Sequence, residues 1–181
     1  MQKKAPVLSK VTTQYDPIQD RIRLSGQFKD DKVCVIWLTQ RMLNRLIPHV
    51  TGWFEKQQDD NTPRSDLLNS IQQQRAQNKH AERVEQGLDT AVPADEAETE
   101  WLALSLDIQQ PPGGIRLIFK DKAEEPEQLA ALELPPLLIR QWLNVLMANY
   151  KKAEWPNNAW PEWMQEQISP EKEQPVPKAL H

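Results

Sequence analysis

The sequence predicts an α+β fold of two strand-strand-strand-helix units in a pseudo-twofold arrangement. Short segments alternate apolar and polar residues between turn residues, as half-buried strands do. Three such segments precede an amphipathic helical pattern, and this order occurs twice. The second occurrence repeats residues of the first at an offset of 93, since Ile22, Arg23 and Leu24 recur as Ile115, Arg116 and Leu117. We therefore expect a mostly antiparallel sheet, or a small barrel, with the helices packed on it.

The first unit covers residues 1–54 and begins with three predicted strands. Leu8 to Tyr15 is rich in valine and threonine, and aspartate and proline then favour a turn. Arg21 to Lys29 alternates with a period of two, which indicates a half-buried strand. Lys32 to Leu38 is a nearly continuous apolar run, which is typical of a central strand buried on both faces. Together they predict a meander.

A helix is predicted directly after this meander. Thr39 stands at the N-cap position, and the following residues QRMLNRLIPHVTGWF keep their large apolar side chains at helical spacing. Pro48 lies inside this helix, where it removes one backbone donor and crowds the preceding turn. The helix is therefore expected either to kink at Pro48 or to end near Ile47 and restart.

The second unit covers residues 101–152 and repeats this order. Its strands are predicted at Trp101 to Ile108, Gly114 to Lys120 and Gln128 to Leu134. Pro135 and Pro136 suit the first turn of a helix that runs to about Lys152, with apolar positions 96 residues after those of the first helix. We expect four tryptophans to be mostly buried in the shared core: Trp37, Trp53, Trp101 and Trp142.

Residues 55–100 separate the two units and have no counterpart in the repeat. This insert contains 11 acidic and 5 basic residues, so its net charge is -6 in a chain whose net charge is -4. Its middle part has helical propensity but too few apolar residues for a regular coiled-coil seam. The insert is predicted to be an acidic, solvated and partly mobile arm. The alternative is a helix that pairs with a partner or with its copy in an oligomer.

Residues 153–181 form a tail that is rich in tryptophan and proline. Four large apolar residues lie within ten positions of one another and follow no regular period: Trp155, Trp160, Trp163 and Met164. They either pack back onto the folded units, where sheet edges need cover, or offer aromatic anchors to a partner protein. On the sequence alone these four are the candidate protein-binding residues.

The sequence shows no recognisable catalytic, cofactor or metal site. The three histidines, His49, His80 and His181, and the one cysteine, Cys34, have none of the spacings of zinc ligands. The glycine-rich stretch at 111–114 lacks the phosphate-binding signatures, and the paired carboxylates fall in turns and linkers. We expect a protein that is not an enzyme and that uses no cofactor or metal. Cys34 is expected to be a small buried side chain.

The distribution of apolar residues along the chain also predicts the cellular compartment. The first residues lack the apolar stretch of a secretory signal, and no run approaches the roughly eighteen apolar residues of a membrane span. The predicted location is therefore the cytoplasm, without membrane contact.

The leading functional hypothesis is a non-catalytic protein-binding or assembly protein that acts through the tryptophan tail, with the inserted helix as a second candidate surface. Its partner would be another protein or a second copy of the chain. The alternative is a module for single-stranded nucleic acid or RNA that uses a basic sheet face, formed by Arg21, Arg23, Lys32, Arg116, Lys120 and Lys122. A small-molecule site in a groove between the units ranks last, because the sequence indicates no polar group for such a ligand.

Overall fold

The structure, a computed structural model, describes residues 4–57 and 65–165. Predictions made for residues 1–3, 58–64 and 166–181 lie outside these ranges. The described elements follow in this order: β1 (Leu8–Asp16), β2 (Arg21–Phe28), β3 (Val33–Leu38), α1 (Gln40–Lys56), α2 (Ser65–Glu85), β4 (Thr99–Leu102), β5 (Ser105–Gln109), β6 (Ile115–Lys120), β7 (Leu129–Leu134), α3 (Pro136–Ala153) and α4 (Glu162–Gln165). A short 3-10 turn at Ala94–Glu96 precedes β4.

The strands form two open, mostly antiparallel sheets. The first has the order β1-β2-β3-β4, in which β4 runs parallel to β3 and the other pairs are antiparallel. The second has the order β5-β6-β7 and is antiparallel throughout. One long helix follows each meander, so the predicted α+β class is confirmed. Across the described residues the strands do not close into a barrel, and the small-barrel alternative is not formed.

The internal repeat is present in the strand pairing itself. Ile22 on β2 pairs with Leu38 on β3, and Ile115 on β6 pairs with Leu134 on β7. Ile115 follows Ile22 by 93 residues, and Leu134 follows Leu38 by 96 residues. These are the two offsets found in the sequence, so the three additional residues of the second copy lie in the loop between β6 and β7.

The parallel contacts between the two units are related by the same offsets. Val35 on β3 pairs with Glu100 on β4, and Ala131 on β7 forms a parallel bridge with Val7, just before β1. Glu100 follows Val7 by 93 residues, and Ala131 follows Val35 by 96 residues. Each unit therefore begins against the last strand of the other unit. In a pseudo-twofold arrangement, each contact that the first unit makes with the second is repeated by the second unit with the first, and these two strand pairings show this reciprocity.

The prediction of a single strand from Trp101 to Ile108 is wrong. This segment forms β4 and β5, which belong to different sheets. The backbone N–H of Ala103 donates to the carbonyl of Trp37 in the first sheet, whereas the N–H of Leu104 donates to a carbonyl of the second sheet. The chain therefore changes sheets between these two residues. The period of two could not reveal this, because it is the same in one strand and in two strands placed end to end.

Helix α1 continues through Pro48 without a break. Thr39 caps its start as predicted, since its Oγ1 accepts a 3.2 Å hydrogen bond from the N–H of Met42. Beyond the proline, the hydroxyl of Thr51 donates to the carbonyl of Ile47 at 2.9 Å. The expected end near Ile47 does not occur. Both halves of the helix place buried residues in the same core, and tertiary packing of this kind outweighs one lost backbone hydrogen bond.

Both units contribute to one hydrophobic core between the sheets and helices α1 and α3. The expectation for the tryptophans is only partly confirmed, since Trp142 is buried but Trp37, Trp53 and Trp101 are half-buried. Cys34 is buried as expected, and this burial raises the pKa of its thiol to about 11.

The end of the insert covers the outer face of the first sheet. Val92 is buried, and its backbone N–H donates a 2.8 Å hydrogen bond to Oγ1 of Thr12. Thr12 pairs with Ser25, which is also buried although it faces away from the core residue Leu24, its neighbour on β2. The insert is helical over α2, as the helical propensity of its middle part predicts, whereas its packing on the sheet at Val92 differs from the predicted solvated arm.

Candidate functional site

The described part of the tryptophan tail, residues 153–165, packs on its own chain. The four side chains predicted to bind a partner are at most 8% exposed: Trp155, Trp160, Trp163 and Met164. Of the two alternatives for this segment, the structure shows the one in which the tail covers the folded units.

Tyr150, on α3, lies at the centre of this packing. The rings of Trp155 and Trp160 meet it edge to face, with centroids 5.1 and 5.3 Å from its own. The Tyr150 hydroxyl donates a 2.8 Å hydrogen bond to Oδ1 of Asn44 on α1, and burial raises its pKa. Trp155 is fixed further because its Nε1 donates to Oδ1 of Asp20 at 3.0 Å.

Helix α4 places Trp163 between the inserted helix and α1. The hydroxyl of Ser70 on α2 donates a 3.2 Å hydrogen bond to the carbonyl of Trp163, and the indole Nε1 donates to Oε1 of Glu55 at 3.4 Å. The tail therefore joins α1 and α2. In this conformation a partner has no access to the indoles, so the binding role predicted for them requires the tail to leave its site.

The inserted helix packs on α3 through polar side chains. The buried residues of α2 are Asn69, Gln73 and Ala76, which lie one turn apart. Gln73 Nε2 donates to the carbonyl of Arg140 at 2.7 Å, and Gln141 Nε2 donates to the carbonyl of Ala76 at 3.4 Å. Helix α2 is thus attached mainly by hydrogen bonds and only weakly by apolar contact.

Arg140 is a buried cation with no carboxylate partner among the described residues. It is 5% exposed, and its guanidinium donates to four neutral oxygens of α2, which belong to Asn69, Gln72 and Gln73. Burial lowers its pKa to about 10. Since no adjacent carboxylate balances this charge, its field extends into the space beside it.

A groove of about 460 Å³ lies next to Arg140, between α2 and the start of α3. Its charged lining residues are Arg75, Lys79, Glu82 and Arg140, and we call it the α2–α3 groove. Within the described part of the chain, neither Arg75 nor Lys79 has an ion-pair partner. Three cations and one carboxylate among the described lining residues make this groove positive, in a chain whose net charge is -4.

The first turns of α2 are apolar on the side away from the buried Asn69 and Gln73. Leu67, Leu68 and Ile71 are 41–59% exposed, and we call these three residues the α2 outer face. Leu137 and Leu138 at the start of α3 are also exposed. In these turns the polarity is the reverse of an ordinary surface helix, because the aliphatic side chains point to solvent while Asn69 and Gln73 point inward.

No family model, no curated protein and no solved structure matches this chain. Its function must therefore be inferred from its own surfaces.

The residues of the predicted nucleic-acid face lie on both sheets and are mostly paired. Arg21 and Arg23 lie on β2, whereas Arg116 and Lys120 lie on β6. Four of the six predicted cations form ion pairs with carboxylates: Lys120 with Asp107 (2.5 Å), Lys122 with Glu127 (2.5 Å), Arg116 with Glu133 (3.7 Å) and Lys32 with Asp30 (3.9 Å). Arg23 donates a 3.0 Å hydrogen bond to the side-chain oxygen of Gln14. Carboxylates thus neutralise four of the six cations, which weighs against phosphate binding on this face.

A smaller cleft of about 210 Å³ lies between the two units, where the sequence suggested a small-molecule groove. Lys32, Glu98 and Glu127 carry its charges, and Trp101 and Cys34 form part of its apolar wall. Its volume is below the roughly 300 Å³ at which ordinary ligand pockets begin. It therefore offers little support for that hypothesis.

The described residues show neither a cluster of metal ligands nor a membrane-spanning helix. In residues 4–57 and 65–165, no three His, Cys, Asp or Glu side chains are grouped as metal ligands. No helix in these ranges has the length and apolar character needed to cross a bilayer. The thiol of Cys34 stays protonated at neutral pH because its pKa is raised, so it is not an activated nucleophile.

Sequence reasoning missed the α2–α3 groove for a physical reason. The sequence predicts a solvated insert because it is rich in polar side chains, which are usually exposed, and it does not single out Asn69 and Gln73 as buried. Arg140 stood in an apolar helix with no partner that the sequence could show. Polar residues recur at 69, 73 and 77 with the same helical spacing as the apolar residues, and the pattern does not tell which side faces the protein.

Proposed function

We propose that this chain is a non-catalytic, cytoplasmic protein that binds another protein through the α2 outer face. The observation that carries the proposal is the reversed polarity of α2, in which Asn69 and Gln73 are buried while Leu67, Leu68 and Ile71 are exposed. A helix that serves folding alone turns its large aliphatic side chains to the core. Clustered aliphatic residues on an otherwise polar helix are typical of a surface that a partner covers.

The proposed occupant is a different protein and not a second copy. A symmetric dimer would bring this surface against itself. A second copy would bring the same positive groove to the interface and supply no complementary charge to Arg75 and Lys79, whereas a different protein is able to do so.

The tryptophan tail has a supporting role in this proposal. Trp163 accepts a hydrogen bond from Ser70, which lies next to Ile71 on α2. The tail thereby holds the inserted helix in place while its own indoles stay buried. This differs from the prediction from sequence, in which the indoles themselves contact the partner.

The test is site-specific photo-crosslinking in the cells that make the protein. A photoreactive benzophenone amino acid replaces Ile71 on the α2 outer face. The control carries it at Ile18, which is 92% exposed but lies in the turn between β1 and β2. We expect a discrete protein adduct from position 71 and none from position 18, and mass spectrometry then identifies the partner.

A second variant tests whether the adduct at position 71 results from specific docking or from chance proximity. Leu68→Glu places a charge on the docking surface without touching the buried side of α2. It should abolish the adduct at position 71 while the protein stays folded by circular dichroism. Equal adducts at positions 71 and 18, or an adduct that persists in Leu68→Glu, would show that the α2 outer face is not the binding surface.

A further inference from the structure

We propose that the α2–α3 groove is a carboxylate-binding site that selects an acidic segment of the partner. This inference rests on the proposed function, because it specifies the chemistry of the protein that docks on the α2 outer face.

The exposed cations of the groove can contact a ligand directly, whereas the buried cation attracts it only through its electrostatic field. Arg75 and Lys79 are exposed and have no ion-pair partner within the described residues, so their donors are available to a ligand. Guanidinium groups bind carboxylates with two parallel hydrogen bonds. Arg140 has already committed donors to oxygens of α2, so it attracts an anion by its charge and does not touch it.

The spacing of these residues defines the shape of the ligand. Leu68, Gln72, Arg75 and Lys79 lie at three- and four-residue intervals and therefore on one side of α2. The stretch from Leu68 to Lys79 spans about 16 Å at the helical rise per residue. A partner segment of about three helical turns, laid along α2, would place an apolar side chain on Leu68. Two carboxylates one turn apart would then reach Arg75 and Lys79.

The surroundings favour an acidic peptide over a nucleic acid. Glu82 lines the groove and would repel a continuous phosphate backbone. The described lining residues include no aromatic ring on which a base could stack, whereas single-strand binding surfaces rely on such rings. Leu68 on the adjoining outer face and Leu137 in the lining match apolar side chains of a protein segment.

The experiment uses a phage-displayed library of random 16-residue peptides, selected on the full-length protein. A parallel selection on the double variant Leu67→Glu/Ile71→Glu removes peptides that do not depend on the α2 outer face. Enriched peptides are synthesised with a fluorophore, and their affinities are measured by fluorescence polarisation. Each peptide is also made with every Glu and Asp replaced by Gln and Asn.

We expect the enriched peptides to carry acidic pairs spaced by three or four residues, together with a leucine-like residue. Arg75→Gln/Lys79→Gln should weaken their binding about tenfold, and the amide versions should bind wild-type protein about equally weakly. Rising salt should weaken the acidic peptides only. The control Arg41→Gln/Arg45→Gln removes the same charge from exposed positions of α1 and should change affinity less than twofold.

The remaining outcomes separate this inference from the proposed function. Peptides that require the α2 outer face but show no acidic excess, or that bind Arg75→Gln/Lys79→Gln as tightly as wild type, would overturn the groove assignment and leave the docking surface intact. If selection on wild type yields nothing beyond selection on Leu67→Glu/Ile71→Glu, the proposed function fails as well. A single-stranded oligonucleotide that binds through Arg75 and Lys79, or a dimer lost in Leu67→Glu/Ile71→Glu, would replace the acidic peptide with another ligand.

Discussion

The guanidinium of Arg140 lies 3.9 Å from the centre of the Phe54 ring. The ring of Trp163 lies 5.9 Å from the same cation. This contact joins α1, α3 and the tail, while the hydrogen bonds of Arg140 reach α2. One buried cation therefore connects both units, the insert and the tail, and it is held by neutral dipoles and aromatic rings.

The first prediction concerns the stability that Arg140 provides. Arg140→Ala removes four hydrogen bonds and leaves buried oxygens of α2 without a donor. We expect the free energy of unfolding to fall by about 3 kcal/mol. Arg140→Met leaves the same oxygens without a donor but keeps most of the volume, so it should cost less than Arg140→Ala by the cavity contribution, about 1 kcal/mol. Urea unfolding at neutral pH, followed by circular dichroism, measures both.

The matched control for this prediction is Arg75→Ala, an exposed arginine that lines the same groove. Its effect on stability should stay within about 0.5 kcal/mol. Equal losses for Arg75→Ala and Arg140→Ala would show that the buried network contributes nothing to folding.

The second prediction compares two tryptophans of the tail. Trp155 donates a 3.0 Å hydrogen bond from Nε1 to Asp20, whereas the buried Nε1 of Trp160 has no partner among the described residues. Trp155→Phe therefore removes a hydrogen bond worth about 1 kcal/mol, while Trp160→Phe removes an unsatisfied donor. We expect Trp160→Phe to be the milder change, although Trp160 is 3% and Trp155 8% exposed. A larger loss of unfolding free energy for Trp160→Phe in the urea titration would contradict this view.

The sequence predicted the repeat because local signals and long-range pairing agree there. The same alternation that marks β2 and β6 sets which residues face the core, and the offset of 93 carries Ile22 onto Ile115 in both sequence and register. The break between Ala103 and Leu104 was missed, since a change of sheet depends on partners distant in the chain. Local periodicity contains no information on such partners.

The same limit explains why the candidate site was misplaced. The tryptophans near 160 have no periodicity of their own, so the sequence left open whether they pack internally. The internal packing depends on two residues of α3. Tyr150 contacts the rings of Trp155 and Trp160, and Arg140 lies over the ring of Trp163. Only the folded arrangement of α2 and α3 shows that the leucines of α2 face solvent.

The third prediction is a pH dependence that belongs to Cys34. Its pKa is raised from 9.0 to about 11 because burial disfavours the thiolate. Below pH 9 both states keep the proton and the contribution is constant. Between pH 9 and 11 the unfolded state loses its proton first, so the free energy of unfolding should fall by about 2 to 3 kcal/mol over this window.

Cys34→Ala isolates this effect. Arg140 acts in the opposite direction, because its lowered pKa makes stability rise above pH 10, but it titrates in both proteins and cancels in the comparison. Urea unfolding at several pH values from 7 to 11 should give a flatter profile for Cys34→Ala than for wild type. Parallel profiles would mean that the thiol is not desolvated as the structure indicates.

The fourth prediction ranks three glycines by what an added methyl group would meet. At Gly114 the new Cβ would lie 2.5 Å from the backbone carbonyl oxygen of Leu134, at the edge of the β6–β7 pairing, where the backbone cannot move aside. At Gly26 it would lie 2.6 Å from Cδ2 of Leu8, the end of a side chain that is able to turn away. At Gly52, inside α1, nothing lies within 4 Å. Gly114→Ala should therefore lower the free energy of unfolding by about 3 kcal/mol, and Gly26→Ala should lower it less.

Gly52→Ala is the matched control, and it should raise the free energy of unfolding by about 0.5 to 1 kcal/mol, since alanine restricts the unfolded chain and favours the helix. Thermal and urea unfolding of the three variants give the ranking directly. Because Gly114 immediately precedes Ile115, where the second copy of the repeat begins its paired strand, a tolerated Gly114→Ala would contradict the close approach of the chain to Leu134. The pairing of Ile115 with Leu134, and with it the equivalence of the two units, would then need a different register.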